Sequence, residues 1–131
     1  MNDTQAFSRR IFAFGALSAA IGVALGAFAS HGLKQQLPPD MLAIFETGVR
    51  YQMYHAFALI LTGLAAATFS LNGTGFTIAA WGFGLGTVLF CLSLYLLSIF
   101  ELRWLGAITP LGGIGFLVGW VALAVTIIRR R

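Results

Sequence analysis

TIAAWGFGLGTVLFCLSLYLLSIF, residues 77–100, contains no Asp, Glu, Lys or Arg, and as one helix it extends about 36 Å at about 1.5 Å per residue. A hydrocarbon core of about 30 Å needs roughly 20 such residues, because a backbone amide without an internal partner finds none in lipid. The stretch therefore reads as a membrane span. Working outward, charge is also absent between Arg10 and Lys34 and between Arg103 and Arg129, and the gap around residues 77–100 reaches back to Arg50. Four spans fit these gaps, at about 11–30, 53–71, 77–100 and 110–128. The expected fold is all-α: a four-helix transmembrane bundle forming one integral membrane domain over residues 1–131, with a short amphipathic helix between the first and second spans.

Composition supports this and excludes other classes. Only 9% of the 131 residues are charged, against about a quarter in a soluble domain. A net charge of +4 is no nucleic-acid footprint, since the basic residues bracket apolar runs instead of gathering on one face. Cys91 is the single cysteine, so no intrachain disulfide forms, and it reads as a small packing residue.

Punctuation between the spans orders them. Asn72-Gly73-Thr74-Gly75 is a short uncharged turn that makes the second and third helices antiparallel neighbours. Thr109 before Pro110 reads as an N-cap followed by proline in the first turn, where its missing N–H costs nothing. With four passes, Arg9, Arg10, Arg129, Arg130 and Arg131 share one side and Lys34, Arg50 and Arg103 the other. Both termini are thus expected in the cytoplasm, with the protein multi-pass in a bacterial inner membrane. Ser8-Arg9-Arg10-Ile11-Phe12 also resembles a twin-arginine export motif, but the apolar run after it exceeds the roughly 7 to 15 residues of a signal core.

Gly22 and Gly26, Gly82 and Gly86, and Gly115 and Gly119 are spaced four apart, and Gly15 and Ala19 extend the first pair. Such grooves let helix backbones approach closely, within one chain or between copies in a homo-oligomer. Trp81 and Trp104 fall near span ends and read as interfacial anchors. Trp120 lies inside the fourth span and reads as a packing or lipid-facing residue.

The segment from His31 to His55 carries both histidines and most of the outer-face charge. Pro38-Pro39-Asp40 starts a helix whose Met41, Ile44, Phe45 and Val49 share one side and whose Ala43, Glu46, Thr47 and Arg50 share the other. Continued to Leu71 it would exceed the membrane thickness, so a projecting end or a bend is expected, with Thr47-Gly48 as the hinge. Glu46 and Arg50, four apart, can pair. His31, Gln52 and His55, with Glu46, Arg50 and Tyr51 nearby, form a candidate polar cluster. It reads either as structural, its members bonding to one another and to backbone, or as a small-molecule or cofactor site for haem or quinone at the outer face. No further haem signature accompanies the two histidines, and a metal would have to draw on Glu46, Asp40 or Glu101. No ionisable group lies deep in a span, which argues against an ion-coupled carrier. Cys91, Ser93 and Ser98 have no base beside them, so no nucleophile is indicated.

Gly26-Ala27-Phe28-Ala29-Ser30-His31-Gly32-Leu33 and Phe45-Glu46-Thr47-Gly48-Val49-Arg50-Tyr51-Gln52-Met53-Tyr54-His55-Ala56, followed by Leu89 to Leu97 and Ile108-Thr109-Pro110-Leu111-Gly112-Gly113, resemble the YgdD-like, or transmembrane protein 256-like, family of small membrane proteins. The match covers nearly the whole chain in order and spacing. It implies the same helical fold, in bacterial membranes or in mitochondria, and supplies no activity. Its motif positions correspond here to His31, Glu46, Arg50, Tyr51, Gln52, His55, Thr109 and Pro110. Gly48 and Cys91 stand where alanine and serine are expected. The resulting expectation is a protein that is not an enzyme and holds no cofactor. It would act in the bilayer as an accessory, interaction or lipid-binding component, through another membrane protein, a second copy or lipid.

Overall fold

The computed structural model describes residues 3–69 and 73–129, and every element in them is helical. Helix α1, Asp3–Phe28, runs into a wider π-helical turn at Ala29–Leu33. Helix α2 is Pro39–Thr68. Helix α3, Thr74–Thr87, continues through a second π turn at Val88–Leu92 into α4, Ser93–Phe100, so these three pieces make one rod. A short 3₁₀ turn, Arg103–Ala107, leads into α5, Thr109–Ile128. Three of the four rods, Asp3–Leu33, Thr74–Phe100 and Arg103–Ile128, are long and apolar enough to cross a membrane. The fourth, α2, is 30 residues long but is not among them, since Tyr51, Gln52, Tyr54 and His55 interrupt its apolar stretch.

Glycines set the two closest helix pairings. Helix α1 packs on α2: a Cβ on Gly15 would stand 2.7 Å from the Ala56 carbonyl oxygen, and one on Gly63 would stand 2.8 Å from the Ser8 carbonyl oxygen. Helices α3 and α5 meet in the same way, with Gly82 against the Gly115 carbonyl and Gly119, and Gly86 against Phe116. The grooves expected between helices or between copies are thus filled from within the chain. Helix α2 also packs on α3 and α4, and the shared core holds Phe45, Ala58, Leu59, Ala79, Phe83 and Phe116.

Several boundaries depart from the expectation. The first helix begins at Asp3, eight residues before its apolar run, since a helix extends into the interfacial zone wherever its backbone bonds allow. Thr74 and Gly75 belong to α3, while Asn72 and the end of the second span at residue 71 lie outside the described residues. The amphipathic stretch is present, with Met41 and Phe45 buried and Glu46 and Arg50 exposed, but it forms the first turns of α2 and not a separate helix. No hinge occurs at Thr47-Gly48. Gly48 is there for close approach, because a Cβ on it would stand 2.6 Å from the Tyr95 ring. Helix α5 starts at the expected place with Pro110 in its first turn, but Thr109 is no cap. Its hydroxyl lies 2.8 Å from that of Ser93 and ties α5 to α4 instead.

Candidate functional site

The one-turn offset between Gln52 and His55 directs them to different neighbours. Gln52 faces α1 and α4: its Nε2 donates to the Ser18 carbonyl oxygen at 3.0 Å, and its Oε1 accepts from the Tyr95 hydroxyl at 2.8 Å. Both polar ends of the amide are thereby used, and Gln52 is only 6% exposed. An amide buried at this depth needs such partners, since nothing in an apolar medium replaces them.

His55 faces α5. A carbonyl can only accept, so Nδ1 carries the proton and donates to the Tyr51 carbonyl oxygen at 2.7 Å, leaving Nε2 to accept from the Trp120 indole N–H at 3.3 Å. The imidazole also stacks face to face on Phe116, with ring centroids 3.4 Å apart and planes 5° from parallel. Both ring nitrogens are committed, and no lone pair remains for an axial bond to haem iron.

The remaining sequence candidates lie elsewhere. His31 is exposed in the π turn after α1. Gly22, nine residues before it, is the residue of α1 that faces Met53 and Gln52, which places His31 about 13 Å further along the axis at about 1.5 Å per residue. The structure therefore does not bring His31 to Gln52 and His55. Arg50 donates to the Thr47 hydroxyl at 3.0 Å, and among the described residues no ion pair joins it to Glu46. Among the described residues, too, no group of three or more His, Cys, Asp or Glu side chains could hold a metal ion.

Tyr51 belongs to a different feature. Between α2 and α5 lies an open cleft of about 650 Å³ walled by the rings of Tyr51, Tyr54, His55, Phe90, Phe116 and Trp120. Tyr51 stacks on Phe90 with centroids 4.6 Å apart, and Trp120 meets Phe83 edge to face at 4.9 Å. The π turn at Val88–Leu92 carries Phe90 to the mouth, and Gly112 of α5 lets the Phe90 backbone come close. Sequence reading passed over Tyr95, Phe116 and the donor role of Trp120. The available clue was polarity within apolar spans: a phenol and an indole there require partners, and Gln52 and His55 were the side chains able to supply them.

Residues 25–113 match the family described as "Protein of unknown function (DUF423)". The chain is 43% identical over 116 residues, 88% of its length and 93% of the relative's, to "UPF0382 membrane protein YwdK" of Bacillus subtilis. It is 41% identical over 115 residues, 88% of its length and 92% of the relative's, to a "UPF0382 membrane protein" of Staphylococcus epidermidis. No solved structure matches.

Proposed function

We propose a function for this chain, which belongs to the DUF423 family of membrane proteins, from its geometry: a noncatalytic four-pass module that acts by binding within the bilayer. The observation that carries this reading is the internal pairing of its membrane-depth polar groups. Gln52 with Tyr95 and Ser18, His55 with Tyr51 and Trp120, and Ser93 with Thr109 bond to one another. A catalytic base or nucleophile needs a free pair of electrons facing a substrate, and these groups hold the helices together instead. The surfaces left for function are the apolar outer faces of the helices, together with the aromatic cleft.

Four passes are supported by the antiparallel contact of α1 with α2, which runs from Gly63 at Ser8 to Gly26 at Val49. A helix packed along that length of a spanning helix crosses with it. Its polar residues Gln52 and His55 face inward, as intramembrane polar groups do. The basic residues around the spans support cytoplasmic termini in a bacterial inner membrane. The finer resemblance to the YgdD-like family agrees with this placement. Haem at the outer face has no support from His55, whose nitrogens are both bonded.

Native mass spectrometry with an absorption spectrum, on protein gently extracted from its own membrane, tests the reading. The expected result is a retained lipid or membrane-protein partner and a blank visible spectrum at haem wavelengths. Turnover of a substrate by the isolated chain, or a bare monomer with no specific lipid, would overturn it. In a Cys91→Ser background, Gln36→Cys should react with an impermeant maleimide from outside, and Gly73→Cys only after permeabilisation. Labelling of both from the same side would refute four passes.

A further inference from the structure

We propose that the cleft between α2 and α5 is a binding site for a neutral, ring-headed prenyl lipid of the isoprenoid quinone class. The proposal rests on α2 lying in the membrane, and it names the occupant that the functional reading leaves open. The cleft opens sideways at an apolar surface, where Tyr54 and Ile114 are each 57% exposed and Leu117 is 66% exposed. A ligand would therefore enter from the lipid and not from water. No charged side chain lines it. A phosphate headgroup would find no counter-charge there, whereas a neutral ring carries no charge that needs one.

The walls match such a ring in shape and chemistry. Six rings line the space, two pairs of them, Tyr51 with Phe90 and His55 with Phe116, already stacked on each other, and such an aromatic lining suits edge or offset contact with a further flat ring. Of the described tyrosines, Tyr95 gives its hydroxyl to Gln52. No hydrogen bond joins the Tyr51 or Tyr54 hydroxyl to a described residue, so two phenol donors are available for carbonyl oxygens. Along α5 the cleft runs from Pro110 to Trp120, about 15 Å at about 1.5 Å per residue, which accommodates a ring and the first isoprene units. A volume of about 650 Å³ lies within the range of roughly 300–1,000 Å³ of small-molecule sites.

Trp120 provides the readout. With Trp81→Phe and Trp104→Phe, both at exposed positions, it is the one tryptophan left in the full chain, which is then placed in phosphatidylcholine nanodiscs and titrated with decylubiquinone. Saturable quenching at about one quinone per chain is expected, beyond the linear quenching of a matched protein that retains only Trp81. Tyr51→Phe and Tyr54→Phe should each weaken binding about fivefold, the factor equivalent to a net hydrogen bond of about 1 kcal/mol. Gly113→Leu should abolish saturation by filling the cleft; a Cβ at Gly113 meets nothing closer than 3.9 Å, so the fold tolerates the first atom of that side chain. Quenching that stays linear and equal for Trp120 and Trp81 would overturn the proposal. So would undiminished binding to Gly113→Leu with its native helix content intact, or equal displacement by phosphatidylglycerol. Each of these, if lipid or a partner is still retained on native extraction, leaves the broader functional reading standing; failure of the two-sided cysteine labelling removes both.

Discussion

Gly82→Ala is predicted to separate α3 from α5, whereas Gly84→Ala, two residues along the same helix, is predicted to do almost nothing. A Cβ at Gly82 would stand 2.7 Å from the Gly115 carbonyl oxygen and 2.9 Å from the Gly119 Cα, all backbone that no rotamer change can move aside. Restoring ordinary contact requires the helices to part by about 0.7 Å, and a gap of that size forfeits about a quarter to a half of each dispersion contact along the seam. Overpacking of this kind costs about 1–3 kcal/mol. At Gly84 the added carbon meets nothing within 4 Å. In water the alanine would still gain about 1 kcal/mol in helix propensity, but a spanning helix stays helical when its neighbours leave, since lipid offers its backbone no other bonds. Most of that gain therefore cancels. Reversible unfolding of the two variants in bicelles, followed by steric trapping, measures the difference. Equal stability of the two would refute the assignment of this glycine seam to contact within the chain.

Tyr95→Phe leaves the Gln52 carbonyl oxygen buried without its donor and should destabilise by about 1–2 kcal/mol, with Gln52→Leu non-additive to it in a double-mutant cycle; additive losses would mean that the bond contributes nothing. Trp120→Phe frees the His55 Nε2 lone pair, so diethyl pyrocarbonate should modify His55 in the variant and only His31 in the parent, as read by peptide mass spectrometry. Modification of both histidines in the parent would contradict the bond. Gly48→Ala places a carbon 2.6 Å from Tyr95 Cε1, and the ring can yield only by loosening its hydroxyl from Gln52. Its stability loss should therefore shrink when Tyr95→Phe is already present, whereas an unchanged loss would place the strain elsewhere.

The parts legible in the sequence were those governed by water and lipid. Charge-free runs ended where charges began, Pro39 and Pro110 marked helix starts, and the face of Met41 and Phe45 turned inward. Contact-dependent features stayed hidden. Gly48 has the composition of a hinge, and only the Tyr95 ring beside it reveals that its small size serves packing. Thr109 before proline has the pattern of a cap, but Ser93 across the interface offered a partner that local pattern does not contain. Pairing His31 with His55 assumed that residues near the same membrane face lie near one another. The antiparallel register set by Gly22 against Met53 places them at different heights.

Helix α2 joins these two kinds of information. Tyr51, Gln52, Tyr54 and His55 interrupt its apolar stretch, and hydropathy alone marks it as the weakest candidate to cross the membrane. Yet Gln52 and His55 of that group are buried and reach α1, α4 and α5 through hydrogen bonds. The polarity that lowers the hydropathy of α2 also ties it to its neighbouring helices, through interhelical bonds worth about 0.6–2 kcal/mol each in a bilayer. Tyr51 and Tyr54, on the side left open, remain at the mouth of the cleft. One short segment thus supplies both the joints of the bundle and the polar lining of its lateral opening. Substitutions at Gln52 should therefore alter stability, and substitutions of the Tyr51 and Tyr54 hydroxyls should alter binding while leaving stability intact.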